Sequence, residues 1–128
     1  MSLSVLGQIA LTVSNVETAV AFYKEKLGLP FLFSAPPKLA FFDLNGIRLM
    51  IGEPETEAVP TGNSVLYFRV DDIHGAYDML LGRGVPFEDR PHLIARMETI
   101  ELWMAFFRDP DHNLMGIMSE VPITQTAN

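Results

Sequence analysis

The sequence predicts an α+β fold built from two copies of one β-α-β-β-β module, and three observations predict it. A strand followed by a helix occurs twice, both copies leave the helix through Gly-x-Pro-Phe, and short alternating strands follow each copy. Residues 9–31 read IALTVSNVETAVAFYKEKLGLPF, and residues 66–87 read LYFRVDDIHGAYDMLLGRGVPF. With Val13 set on Val70, Asn15 meets Asp72, Val16 meets Ile73 and Ala19 meets Ala76. After one residue of slip, Gly28 meets Gly84, Pro30 meets Pro86 and Phe31 meets Phe87. Matched features in matched order mark a repeated unit rather than an ordinary α+β domain with a chance resemblance.

Each element has a local cause. Ile9, Leu11 and Val13 alternate with Gln8, Ala10 and Thr12, the period-2 pattern of a half-buried strand. Ser14 or Asn15 can cap the first helix, and Asp71 or Asp72 the second. Val16, Ala19, Val20, Tyr23 and Leu27 recur at helical spacing and give one apolar face. Gly28 and Gly84 stand where a left-handed residue closes a helix. Strands are expected over 31–34, 39–44 and 48–51, with Asn45-Gly46 as a hairpin turn. In the second copy they are expected over 87–89, 92–95, 101–107 and 114–118, with residues 109–113 forming the last turn. The Phe31–Phe33 and Phe41–Phe42 clusters read as core.

The boundaries that follow are one domain over 1–128. Module one covers about 5–52, a Pro/Gly linker 53–63, module two 64–120 and a frayed tail 121–128. The 128 residues are enough to bury a core, and 48% hydrophobic against 20% charged is a globular balance. The absence of cysteine excludes disulfides, thiolate zinc sites and cysteine nucleophiles, and it fits a cytoplasmic location. A net charge of −7 argues against nucleic acid as a partner. No apolar run reaches membrane-spanning length, and no export signal is expected at the N-terminus. No Gly-rich phosphate loop, serine nucleophile elbow or HExxH is present.

The stretches VSNVETAVAFYKEKLGL, FRVDDIHGAYDML and FFRDPDHNLMGIM, in this order, resemble the glyoxalase / bleomycin-resistance / extradiol-dioxygenase (vicinal oxygen chelate) superfamily over about residues 5–120. The resemblance implies a curved mixed sheet with helices on its convex face. It also implies a concave cleft for a small-molecule ligand, usually within a homodimer. Where members of that family do chemistry, a divalent metal polarises vicinal oxygens of the substrate. Its ligand positions fall here on Gln8, Met50, Val65 and Gly116. Only Gln8 is a plausible ligand, a thioether suits soft metals, and valine and glycine have no side-chain donor. No metal is therefore expected and no cofactor is assigned.

Strand alternation nominates the cleft residues. Gln8, Arg48, Met50, Tyr67 and Arg69 are out of phase with the helix-packed positions and are taken as substrate-binding. Around the hairpin at 97–100, Arg96 is set opposite Glu101, Ile94 opposite Trp103, and His92 opposite Ala105. That register places His92, Arg96, Glu101 and Trp103 on the cleft side, and Leu93, Ala95, Leu102, Met104 and Phe106 against the helix. Glu101 and His92 are then the catalytic candidates and Trp103 a stacking surface. The plainer readings are a Glu101–Arg96 surface pair, a packing role for Trp103, and solvated Arg48 and Arg69. His74 and His112 read as solvent-facing. Two functions compete: a metal-independent small-molecule binder, by sequestration or metal-free chemistry, and a divalent-metal lyase, isomerase or dioxygenase of the glyoxalase I type with non-standard ligands.

Overall fold

The alternation at the start of the chain becomes strand β1, Gln8–Thr12, in a computed structural model that describes residues 3–35, 37–54 and 64–123. The chain forms two compact units, Met1–Gly62 and Asn63–Asn128, each a four-stranded mixed sheet with helical structure packed on it. The linker expected at 53–63 lies outside the described residues from position 55 onward.

In the first unit, Asn15 caps helix α1, Val16–Val20, by accepting the Thr18 N–H at 2.8 Å. The helix continues as a π-helical turn, Ala21–Lys26, closed by the Leu27 N–H on the Phe22 carbonyl. Such a turn absorbs one additional residue in a helix. Fifteen positions run from Val13 to Gly28, but fourteen from Val70 to Gly84, so this turn accounts for the slip between the repeats. It also lets the adjacent Phe22 and Tyr23 both bury. Gly28, at φ 72°, ends the helix.

The chain then runs through β2, Phe31–Ala35, β3, Leu39–Leu44, and β4, Ile47–Gly52, in the spatial order β1-β4-β3-β2. Asn45 and Gly46 both take positive φ, 55° and 99°, which makes the β3–β4 connection the expected primed turn. Val13, Phe42, Leu49 and Ile51 are fully buried towards the helix, where Tyr23 meets Phe42 at 6.1 Å between ring centroids. The expected Phe31–Phe33 core is only partly realised. Phe42 and Phe31 pack together, whereas Leu32 and Phe33 stay nearly half exposed.

The second unit repeats the order. Strand β5, Leu66–Arg69, leads into helix α2, Ile73–Gly82, capped by Asp72 on the Gly75 N–H. Then come β6, His92–Arg96, β7, Ile100–Arg108, and β8, Leu114–Pro122, arranged β5-β8-β7-β6. Residues 87–89 are not a strand: Phe87 makes a single bridge to Phe107, its ring wedged between Tyr77 of α2 and Phe107. Strand β8 runs on to Pro122, where a tail was expected, because β7 is long enough to pair it from Leu114 onward. In the turn between them, Asp109 is buried and its Oδ1 accepts both the Asp111 and Asn113 N–H groups. No helix among the described residues is long and apolar enough to cross a membrane.

Candidate functional site

Each sheet has a face packed on its helix and a face turned away from it. In the first unit the second face carries Gln8, Arg48 and Met50, as the alternation predicts. Gln8 stands level with Arg48 across the parallel β1–β4 pair, and Met50 opposite Phe41 across β3–β4. The Gln8 amide donates to Met50 Sδ at 3.8 Å. The Arg48 guanidinium lies 5.9 Å from the Phe41 ring, which stacks in turn on Phe33 at 4.7 Å. This is a cation–π contact over an aromatic pair.

In the second unit the face away from α2 is organised in rows. Tyr67, Gly116 and Phe106 are cross-strand neighbours; the next row is Arg69, Met118, Met104 and His92. The Tyr67 and Phe106 rings meet edge to face at 6.0 Å, and His92 tilts towards Phe106 at 6.5 Å. Arg69 pairs loosely with Glu120 at 3.9 Å. His92 Nδ1 lies 3.1 Å from the Arg90 carbonyl and 3.3 Å from Asp89 Oδ2. Two acceptors there assign the proton of the neutral ring to Nδ1 and leave Nε2 as its basic nitrogen.

The hairpin corrects the expected grouping of site residues. Arg96 does face Glu101, but a bulge between Leu93 and Ala95 shifts the register beyond it. Leu93, not Ile94, stands opposite Trp103, and His92 stands opposite Met104 rather than Ala105. Glu101 and Trp103 therefore share the helix-side face with the buried Ala105 and Phe107, while His92 lies on the other face with Leu102, Met104 and Phe106. A one-residue bulge turns all later side chains to the opposite face. The two catalytic candidates do not converge.

Trp103 instead meets His74 of α2 at 5.5 Å, and its Nε1–H donates to Glu101 Oε1 at 3.4 Å. Glu101 also faces Arg96 at 3.8 Å. His74, Glu101 and Trp103, with Asp71, Asp72, Ile73 and Val121, line a hollow of about 350 Å³. His74 is exposed as expected, yet it is engaged by the indole. The residues missed by the alternation are Phe41, Met104, Phe106 and Met118. Their signal is present, since apolar side chains occupy both phases of these strands, but alternation alone assigns only one face to a core.

The positions that the resemblance assigns to a metal do not fit one. Gln8 supplies a neutral amide, Met50 a thioether, and Val65 no donor. Gly116 has no side chain, and a Cβ built on it would lie 3.2 Å from Tyr67 Cδ1 and 3.3 Å from Phe106 Cδ1. A liganding side chain there would have to displace both rings. Among the described residues, no group of three or more His, Asp or Glu side chains is placed to hold a metal.

Comparison with known proteins adds a family and a fold. The sequence model described as Glyoxalase/Bleomycin resistance protein/Dioxygenase superfamily matches residues 5–117. The chain is 35% identical to the protein YraH of Bacillus subtilis (strain 168) over 128 aligned residues, covering 88% of this chain and 95% of YraH. It is similar in structure to lactoylglutathione lyase from Agrobacterium tumefaciens, with TM-score 0.75, 20% identity, and coverage of 92% of this chain and 95% of the other. It is also similar to TnmS3, an antibiotic binding protein from a Streptomyces species, with TM-score 0.73, 24% identity, and coverage of 94% and 98%.

Proposed function

The chain belongs to the glyoxalase/bleomycin resistance/dioxygenase superfamily, and on that premise we propose that it binds a small molecule on a helix-free sheet face without a divalent metal. The observation that carries this reading is the donor set at positions 8, 50, 65 and 116, above all Gly116 beneath two aromatic rings. An amide and a thioether do not make a site for a hard cation. What such a face offers is aromatic and thioether surface with a few polar groups at its margins, the usual composition of a small-ligand site.

The residues proposed to touch ligand are Gln8, Arg48 and Met50 in the first unit and Tyr67, Arg69 and His92 in the second. His92 Nε2 is the proton acceptor available to metal-free chemistry, and without a reacting group the same surface sequesters its ligand. Glu101 and Trp103 leave this set, because their strand phase turns them to the helix side. The similarity to an antibiotic-binding protein supports the sequestering form. We further propose that the protein acts as a homodimer in the cytoplasm.

The test is a thermal-shift screen of a small-molecule library in EDTA, repeated with added manganese, nickel or zinc, alongside elemental analysis of purified protein. Ligands that raise the melting temperature equally in both conditions are expected. Stoichiometric metal, or ligands that act only with it, would turn the reading to a metal-dependent enzyme. Sedimentation at micromolar concentration showing a monomer would overturn the dimer.

A further inference from the structure

The second unit carries a residue whose contribution is the side chain it lacks. Gly116 lies in the middle of β8, is buried, and pairs with Tyr67 on one side and Phe106 on the other. It is not among the glycines at positive φ, so backbone conformation does not demand glycine there. Space does: the two rings close over the backbone to within 3.2–3.4 Å of where a Cβ would stand. Tyr67 nevertheless keeps 45% of its surface exposed, so the rings roof Gly116 and present themselves outward.

We propose that Gly116 is a specificity-determining residue: it lets Tyr67 and Phe106 close into an apolar floor that accepts a planar aromatic ligand, where a longer residue would hold a cation. The proposal rests on the metal-free reading above. It commits to a planar aromatic ligand for two reasons. The floor is two rings set edge to face, the Tyr67 ring half exposed, flanked by the thioethers of Met104 and Met118, a polarisable surface without formal charge. The polar groups of the neighbouring row, Arg69 and His92, stand at opposite edges of the sheet and already face Glu120 and Asp89. The centre of the face therefore selects by shape and stacking, and charge enters only at its margins.

The experiment uses the full chain in EDTA and two anionic probes, planar anthraquinone-2-sulfonate and flexible decane-1-sulfonate, followed by isothermal titration. The planar probe is expected to bind saturably and at least about ten-fold more tightly than the flexible one, in keeping with aromatic stacking energies. Tyr67→Leu and Gly116→Ala should each weaken it by about ten-fold or more. Tyr67→Leu changes an exposed side chain and should keep the wild-type melting temperature, so the test does not depend on how Gly116→Ala folds. No saturable binding of the planar probe, equal binding of both probes, or unchanged affinity in both variants would overturn the inference. Metal-independent ligands from the screen, insensitive to Tyr67 and Gly116, would overturn this inference alone. Planar-probe binding that appears only on adding nickel or manganese would overturn the metal-free reading with it.

Discussion

The His74 imidazole and the Trp103 indole meet edge to face, with ring centroids 5.5 Å apart, across the junction between α2 and β7. This contact fixes the side of the sheet on which β7 places its aromatic residue, and with it the role of Glu101 two positions earlier.

Trp103 is then a packing residue of the second unit. Trp103→Ala should destabilise the protein by about 2 kcal/mol, the order expected for losing a partly buried aromatic side chain. Glu101→Gln should cost at most about 1 kcal/mol, since its partner Arg96 is largely exposed. Urea denaturation of both variants checks this, and a neutral Trp103→Ala would refute it.

The hairpin also shows where the sequence stops being legible. The repeat, both caps, the Asn45-Gly46 turn and the faces of β1, β4 and β5 are readable because local chemistry or a single buried phase dictates them. The face of β7 is not. Trp103, Ala105 and Phe107 in one phase compete with Leu102, Met104 and Phe106 in the other, and apolarity alone does not rank them. The bulge between Leu93 and Ala95 has no glycine or proline to announce it, so strict alternation groups His92 with Glu101 and Trp103, which the structure places on the opposite face. The cradle over Gly116 depends on cross-strand register, which no single strand encodes.

Glu53 joins the start of α1 to the sheet. It accepts the Val16 N–H at 3.0 Å and faces Lys38 at 3.2 Å. The Val16 hydrogen bond, aided by Lys38, holds its carboxyl below the usual range against the opposing pull of desolvation. A carboxyl depressed in the folded state stabilises it above the unfolded pKa, and that contribution is lost as pH falls through the folded value. Glu53→Gln should therefore lower the melting temperature at neutral pH, with the gap closing as the solution is acidified. A gap that does not change with pH would exclude the ionised carboxylate as its source.

Gly46 holds φ at 99°, and its N–H donates to Asp43 Oδ1 at 3.0 Å. A Cβ there would touch nothing, so the cost of Gly46→Ala is purely conformational, about 1–2 kcal/mol. Chemical denaturation should find that loss while ligand binding is retained.

The π-helical turn predicts an unusual tolerance. Deleting Glu25, an exposed residue within Ala21–Lys26, gives the first helix the spacing of the second. That variant should still unfold cooperatively by circular dichroism. Deleting the buried Ala19 should abolish the transition, because it rotates the remaining helix off its sheet. Equal damage from both deletions would refute the assignment of the additional residue.

A protein made of two similar halves risks assembling them wrongly, with one helix settling on the other's sheet as the chain folds. The extra residue works against that exchange. It gives the first helix a broadened end in which Phe22 meets Tyr23 edge to face and Tyr23 meets Phe42, whereas the second offers a regular helix whose Tyr77 meets Phe87. Neither helix is a good counterfeit of the other, so a single inserted residue acts as an identity mark that each sheet can read.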